Sequence, residues 1–385
     1  MKRDIATLEA ALAGLDPQHL KRRRRTVDTV DETNVAVEGR RLVDFCSNDY
    51  LGLARHPEIA AAMSEAALRY GSGSRASHLV TGHGREHQML EEALATFTGR
   101  DRALLFSTGY MANLAAIGVL ATRGETVLLD RLNHASLIDA ALLSGARVSR
   151  FAHADAGAAE RDMEGASVVA TDGVFSMDGD LAPLPDLARA ALAHQAWLIV
   201  DDAHGLGVMG PTGRGTLEHF GLDESQVPVL VGTLGKAFGS AGAFVAGSAS
   251  FIEWLMQKAR SYIYTTAMPQ AVAAATRKAL EVSEREPWRR ERVHALTARF
   301  RAGAAQLDIP LLDSITPIQP IPLGSSEAAL HAHEALMARG FWVVAIRPPT
   351  VPKDSARLRV TLSAAHTESQ VDALLDALAS TVAPP

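Results

Sequence analysis

The chain predicts an α/β fold: a large, mostly parallel sheet with helices on both faces, followed by a smaller α+β domain. Three observations carry this. Between about residues 100 and 250, short apolar runs alternate with helical segments, the order that parallel strands joined by crossover helices require. Several of these runs, Ala196–Asp201 and Val227–Thr233 among them, do not alternate in polarity, as befits strands buried on both faces. From about residue 310 the order changes to strand, helix, strand, strand, helix.

The elements follow in order. Residues 4–24 read as one amphipathic helix, whose last turn would hold the basic run Lys21–Arg25 against the helix dipole. Arg41–Phe45 reads as a short strand. Pro57 suits a helix start, so a helix is expected over 57–70. A Gly/Ser loop, Gly71–Arg75, ends it, and 86–97 is helical again. Strands of the large sheet are expected at 102–106, 126–130, 147–151, 167–175, 196–201, 227–233 and 243–246, with helices such as 111–120 and 184–194 between them. Helices at 251–260 and 270–301 lead to the second domain. There, strands are expected at 315–321, 342–346 and 357–362, and helices at 326–339 and 367–379. Pro317 and Pro320 cannot donate to a ladder, which puts 315–321 at a sheet edge or makes it irregular. The expected organisation is an N-terminal segment, 1–55, a large α/β domain, 56–290, and a small α+β domain, 291–385.

Composition narrows the function. The 385 residues carry a net charge of -6, with 47% hydrophobic and 21% charged residues, and this balance gives no global attraction to nucleic acid or anionic lipid. One cysteine, Cys46, allows no internal disulfide and reads as a small buried side chain. No apolar run reaches 18 residues, and the N-terminal residues lack a signal-like stretch, so a cytoplasmic enzyme is expected.

The chemistry gathers after the apolar runs. In open α/β sheets ligands bind beyond the carboxyl ends of the strands. Asp201, Asp202 and His204 follow one run, and Thr233 and Lys236 follow the next. Lys236 stands among Gly232, Gly235 and Gly239, which allow a ligand close to the backbone. A phosphate-binding P-loop is excluded, because Leu230 and Ala237 occupy positions that need Gly and Ser or Thr. An amine and a carboxylate are the groups a covalent-lysine cofactor needs, one for a Schiff base and one for a pyridinium nitrogen. Gly205–Gly210 matches a dinucleotide fingerprint, but Pro211–Gly215 follows where a helix should open. Gly109 and Tyr110 follow a strand and open a helix, a ready phosphate site. His134 follows another strand and could stack on a cofactor ring. No metal-ligand spacing is present.

These motifs, in this order, resemble the α-oxoamine synthase family, a branch of the fold-type I pyridoxal-phosphate-dependent transferases. The likeness runs from Ser47–Gly52 through Gly173–Asp180 and Asp201–His204 to Thr233–Lys236, and covers nearly the whole chain. It implies pyridoxal 5'-phosphate on Lys236, with Asp201 at the ring nitrogen. His204 and Ser176 would lie by the ring hydroxyl, and His134 on the ring face. Gly109, Tyr110 and Thr233 would bind the phosphate, with Thr265 or Thr266 reaching in from the partner subunit of a homodimer. Arg359 would hold the amino acid carboxylate, and Asn48 would line the site. Thr108 and Asn133 stand where the family more often has serine. Ile346–Pro352 and Arg357–His366 resemble the members that join L-alanine to pimeloyl-CoA or pimeloyl-acyl carrier protein, with Arg22, Thr350 and Arg347 on the acyl substrate. Open alternatives are another member of the family, such as a glycine C-acetyltransferase, an aminotransferase of the same fold type, and a nucleotide-binding protein built on Gly205–Gly210.

Overall fold

The computed structural model describes residues 4–382. Helix α1 (Ile5–Ala13) leads into strands β1 (Val27–Thr29), β2 (Asn34–Val37) and β3 (Arg40–Asp44). Helix α2 (Pro57–Tyr70), a π-helical turn (His78–Gly82) and α3 (Arg85–Thr98) precede the alternating region. That region runs β4 (Arg102–Phe106), α4 (Gly109–Leu120), β5 (Thr126–Asp130), α5 (Ala135–Ser144), β6 (Arg147–Phe151), α6 (Ala156–Asp162) and β7 (Val168–Asp172). It continues through α7 (Leu184–Ala193), β8 (Trp197–Asp201), α8 (Thr216–Phe220), β9 (Val229–Thr233) and β10 (Ala243–Gly247). Helices α9 (Ala249–Lys258), α10 (Arg260–Ile263), α11 (Gln270–Arg285) and α12 (Trp288–Gln306) follow. The last elements are β11 (Ile318–Gly324), α13 (Ser326–Ala338), β12 (Phe341–Trp342), β13 (Val344–Ile346), β14 (Ala356–Thr361) and α14 (Glu368–Val382).

The described residues divide into two compact units, one of 48–176 and 180–292, the other of 4–47, 177–179 and 293–382. The large unit holds a seven-stranded sheet in the order β4-β10-β9-β8-β7-β5-β6. Neighbours pair in parallel except around β10, which runs against both β4 and β9. Alternate residues of one strand feed two cores. Val127, Leu129, Val168, Ala170 and Ile199 pack with α4, α5 and α9, while Leu128, Val169, Leu198 and Val200 pack with α6 and α7. This two-sided burial explains the unbroken apolar runs. Strand order reverses between β5 and β7, so a crevice is expected beyond the carboxyl ends of these strands.

The small unit carries two sheets, β1-β2-β3-β12 and β11-β14-β13. Its core includes Phe45, Phe300, Ile321, Leu358 and Leu374. The N-terminal strands belong to this unit, because β3 pairs in parallel with β12. β11 is an edge strand, as its prolines require.

Several boundaries differ from expectation, each for a local reason. The helix expected over 4–24 stops at Ala13, because Gly14 follows and Pro17 disfavours helical backbone at Asp16. The basic run therefore lies outside any helix or strand, where Lys21 meets Asp16 at 2.7 Å and Arg25 meets Glu334 at 2.7 Å. The helix expected over 270–301 is two helices, broken at Pro287. The strand expected over 342–346 is split, since β12 joins one sheet and β13 the other. After β8, Gly205–Gly210 forms turns and no helix opens until Thr216, so the dinucleotide geometry is absent. No helix among the described residues is long and apolar enough to cross a membrane.

Candidate active site

Strands β7 and β8 pair so that Asp172 and Asp201 are partners at their carboxyl ends. Both side chains are buried. Asp201 accepts from the Ala203 N–H at 3.0 Å and from the Asn113 amide at 2.6 Å. Asp172 accepts from the His134 N–H at 2.8 Å. Burial, then the neighbouring Asp201 charge, raises the Asp172 carboxyl well above its ordinary range.

On the next strand, Thr233 ends β9, and Lys236 follows in a tight turn closed by the Gly239 N–H on the Lys236 carbonyl. Lys236 Nζ lies 3.0 Å from His204 Nε2, and His204 Nδ1 lies 2.6 Å from the Tyr50 hydroxyl. Tyr50 in turn donates to Asn48 Oδ1 at 3.3 Å. The amine, both flanking imidazole nitrogens and the Asn48 amide thus form one polar line within the large unit.

Helix α4 opens beside β9. Thr108 caps it, accepting from the Met111 N–H at 3.2 Å. The first N–H groups of the helix, from Gly109 and Tyr110, have no carbonyl partner within it, as at any helix start. A Cβ at Gly109 would stand 2.7 Å from Thr233 Cγ2, so only glycine lets the two strand-end segments approach this closely. The Tyr110 hydroxyl binds Asp139.

His134 caps α5, with Nδ1 accepting from the Ser136 N–H. Desolvation, then the Lys236 charge, lowers its pKa against the opposing pull of Asp201. Ser176 is half-buried in the loop after β7, and a bridge between Val174 and Leu181 closes this loop. Thr266 is exposed and pairs with Ser77 across an isolated bridge, with Thr265 beside it.

In the small unit, Arg359 lies on β14 and is buried, donating to Thr361 Oγ1 at 3.0 Å. Arg22 donates to Thr350 Oγ1 at 3.3 Å, and Arg347 to the His19 carbonyl. Arg22, Arg347 and Thr350 line a cavity of about 280 Å³ with no carboxylate in its wall among the described residues. Burial, then the Arg22 charge, lowers the Arg347 pKa. Cys46 donates to the Trp342 carbonyl at 3.2 Å, and burial pushes its thiol well up, which removes it as a nucleophile.

The structure adds residues that the motifs did not single out. Asn113, Ser136, Tyr50 and Asp172 all touch the groups above. Asn113 left a trace in the sequence: it is a lone amide inside the otherwise apolar α4, and a buried amide needs a partner. Elsewhere the fold gathers His78, His83 and His87, with ring nitrogens within 4.8 Å of one another. His87 has both nitrogens committed, to the Gly84 N–H at 3.0 Å and the Met268 carbonyl at 2.7 Å, and His78 stacks on Tyr262 at 5.0 Å. That cluster packs and ties backbone.

Comparison with known proteins agrees with this geometry. Residues 40–378 match the class I and II aminotransferase family. The 8-amino-7-oxononanoate synthase of Thioalkalivibrio sulfidiphilus is 60% identical over 364 residues, 93% of each chain. That of Stutzerimonas stutzeri is 60% identical over 375 residues, covering 97% of this chain and 96% of the relative. Among solved structures, serine palmitoyltransferase of S. paucimobilis, with a bound pyridoxal-phosphate–myriocin adduct, superposes with a TM-score of 0.93. It is 31% identical and the match covers 98% of both chains. The 8-amino-7-oxononanoate synthase of Francisella tularensis gives a TM-score of 0.80 at 32% identity, over 89% of this chain and 98% of that one. The chain therefore belongs to the class I and II aminotransferase family of pyridoxal-phosphate-dependent enzymes and, within it, to the α-oxoamine synthase branch that holds the 8-amino-7-oxononanoate synthases.

Proposed function

We propose that the chain is an acyltransferase that condenses L-alanine with a pimeloyl thioester, carried on coenzyme A or on acyl carrier protein. The products are 8-amino-7-oxononanoate, carbon dioxide and the free thiol, and the reaction belongs to biotin biosynthesis. The observation that carries this reading is the buried Asp201 at the end of β8 and the Lys236 amine just after its parallel neighbour β9, beside the open helix start at Gly109. A carboxylate for a ring nitrogen, an amine for an aldehyde and N–H groups for a phosphate fit pyridoxal 5'-phosphate. When bound, that cofactor supplies an electron sink for the charge left at Cα as its proton departs.

The side chains then have separate tasks. Lys236 would hold the cofactor covalently and, once displaced by alanine, take the Cα proton as general base, oriented by His204. Asp201, fixed by Asn113 and the Ala203 N–H, would keep the ring nitrogen protonated. His134 would lie on the ring and donate a hydrogen bond to the thioester oxygen as charge develops there. Ser176 and His204 would flank the ring hydroxyl. Gly109, Tyr110 and Thr233 would hold the phosphate, with Thr265 or Thr266 contributed by the second subunit of a homodimer. Arg359 would bind the alanine carboxylate and Asn48 would line the site. Arg22, Arg347 and Thr350 would receive the distal carboxylate of the acyl chain, for which the acid-free cationic cavity is suited.

Borohydride reduction of the loaded enzyme, followed by peptide mass analysis, tests the anchor. A phosphopyridoxyl group is expected on the peptide containing Lys236, and Lys236→Ala should lose both the label and turnover. Labelling elsewhere, or turnover retained in the variant, would overturn the assignment.

A further inference from the structure

Asn113 is fully buried in α4. Its Nδ2 donates to Asp201 Oδ2 at 2.6 Å and to Ser136 Oγ at 2.8 Å. An ionised carboxylate only accepts, so the amide must turn its NH₂ toward Asp201. Its Oδ1 then meets no donor and is one of the few buried polar atoms without a partner. An unmet acceptor costs stability, which the two donated bonds offset. What Asn113 supplies is two N–H groups aimed at two different neighbours.

The second of these neighbours gives the network a direction. The Asn113 N–H occupies a lone pair of the Ser136 hydroxyl, so the hydroxyl proton is available for His134 Nδ1, 2.7 Å away. The Ser136 backbone N–H reaches the same nitrogen at 3.2 Å. A ring nitrogen that accepts from two donors carries no proton, and in the neutral imidazole the proton must sit on Nε2. The His134 backbone is pinned separately, by its N–H on Asp172.

We propose that Asn113 and Ser136 are positioning residues: one buried amide fixes the Asp201 carboxylate and, through the Ser136 hydroxyl, holds His134 in the tautomer protonated at Nε2. The proposal rests on the roles given above to Asp201 and His134. It deepens them in a specific way. His134 is kept as a hydrogen-bond donor with its proton on the outer nitrogen, suited to polarising an acyl oxygen and unable to act as a base through Nδ1. The same amide makes the alignment of the ring-nitrogen partner and the state of the imidazole depend on one side chain.

Nitrogen NMR of holoenzyme carrying ¹⁵N-labelled histidine reads the tautomer directly, with the His134 signals identified by their loss in His134→Gln. Wild type should show an unprotonated Nδ1 and a protonated Nε2. Both Ser136→Ala and Asn113→Leu should replace this with averaged signals of mixed tautomers. Asn113→Leu alone should also weaken pyridoxal phosphate binding, roughly tenfold, because only it releases Asp201. A proton on Nδ1 in wild type, or unchanged signals in both variants, overturns the proposal. If Asn113→Leu does not fold, the Ser136→Ala spectrum decides alone. Absence of turnover with alanine and pimeloyl-CoA would count against the substrate reading and leave the tautomer result standing.

Discussion

At the scale of single residues, the proposed acyl specificity rests on Arg22 and Arg347. Two guanidinium groups share a cavity wall without an intervening acid, while the nearby Asp16 and Glu334 are engaged by Lys21 and Arg25. Uncompensated like charges gain most from a carboxylate that arrives with the substrate. Arg347→Ala should raise KM for pimeloyl-CoA about 10- to 100-fold, the range of a lost charge-assisted hydrogen bond, and leave KM for alanine unchanged. Heptanoyl-CoA, which lacks the distal carboxylate, should be used equally well by both enzymes. Steady-state kinetics with the two thioesters separate these outcomes, and an equal loss for both would remove Arg347 from the role. Lys236, Asp201 and Gly109 were readable in the chain because each ends or follows an apolar strand, where polar groups are conspicuous. Ser136 was not, since a serine two residues after a histidine looks ordinary until the fold sets it against His134, and Tyr50, though inside the Ser47–Gly52 motif, gave no sign that it would meet His204.

At the scale of elements, the loop that carries Ser176 is tied to the sheet by one imidazole. His153 bonds Asp130 at the end of β5 through Nδ1, at 3.0 Å, and Asp180 through Nε2, at 2.9 Å, and its ring meets Phe175 edge-on at 4.4 Å. Burial opposes its charge, but the hydrogen bonds and charges of the two carboxylates outweigh burial and raise its pKa to about 10, from an ordinary 6.5. A group whose folded pKa is raised stabilises the fold fully below its unfolded value and loses that contribution as pH climbs through the folded one. Wild type should therefore lose stability between about pH 6.5 and 10 relative to His153→Gln, by on the order of 1–3 kcal/mol. Urea midpoints at several pH values measure this; parallel pH profiles for the two proteins would contradict it. Elements themselves were legible where punctuation is strong, as at Pro57 and the β11 prolines. They were misjudged where an apolar pattern continues past a break. Pro287 divides α11 from α12, and Gly14 and Pro17 stop α1, although the surrounding residues suit a helix. Whether Phe341–Ile346 forms one strand or two depends on which sheets it meets, and local sequence does not record that.

At the scale of the whole molecule, the fold and the cofactor chemistry are shared widely, and the substrates are not. Serine palmitoyltransferase superposes at a TM-score of 0.93 with 31% identity, so the backbone alone does not choose between acyl chains. In the reading proposed above, the choice would rest on side chains such as Arg22, Arg347, Thr350 and Arg359, in and beside the Ile346–Pro352 and Arg357–His366 segments. The measurement that bears most directly on the central claim is product identification by mass after mixing the loaded enzyme with L-alanine and pimeloyl-CoA. The account predicts 8-amino-7-oxononanoate with one carbon dioxide and one free thiol per turnover, and little product when glycine and acetyl-CoA are supplied instead. Efficient condensation of glycine with acetyl-CoA, or amino-group transfer from alanine without thiol release, would contradict it.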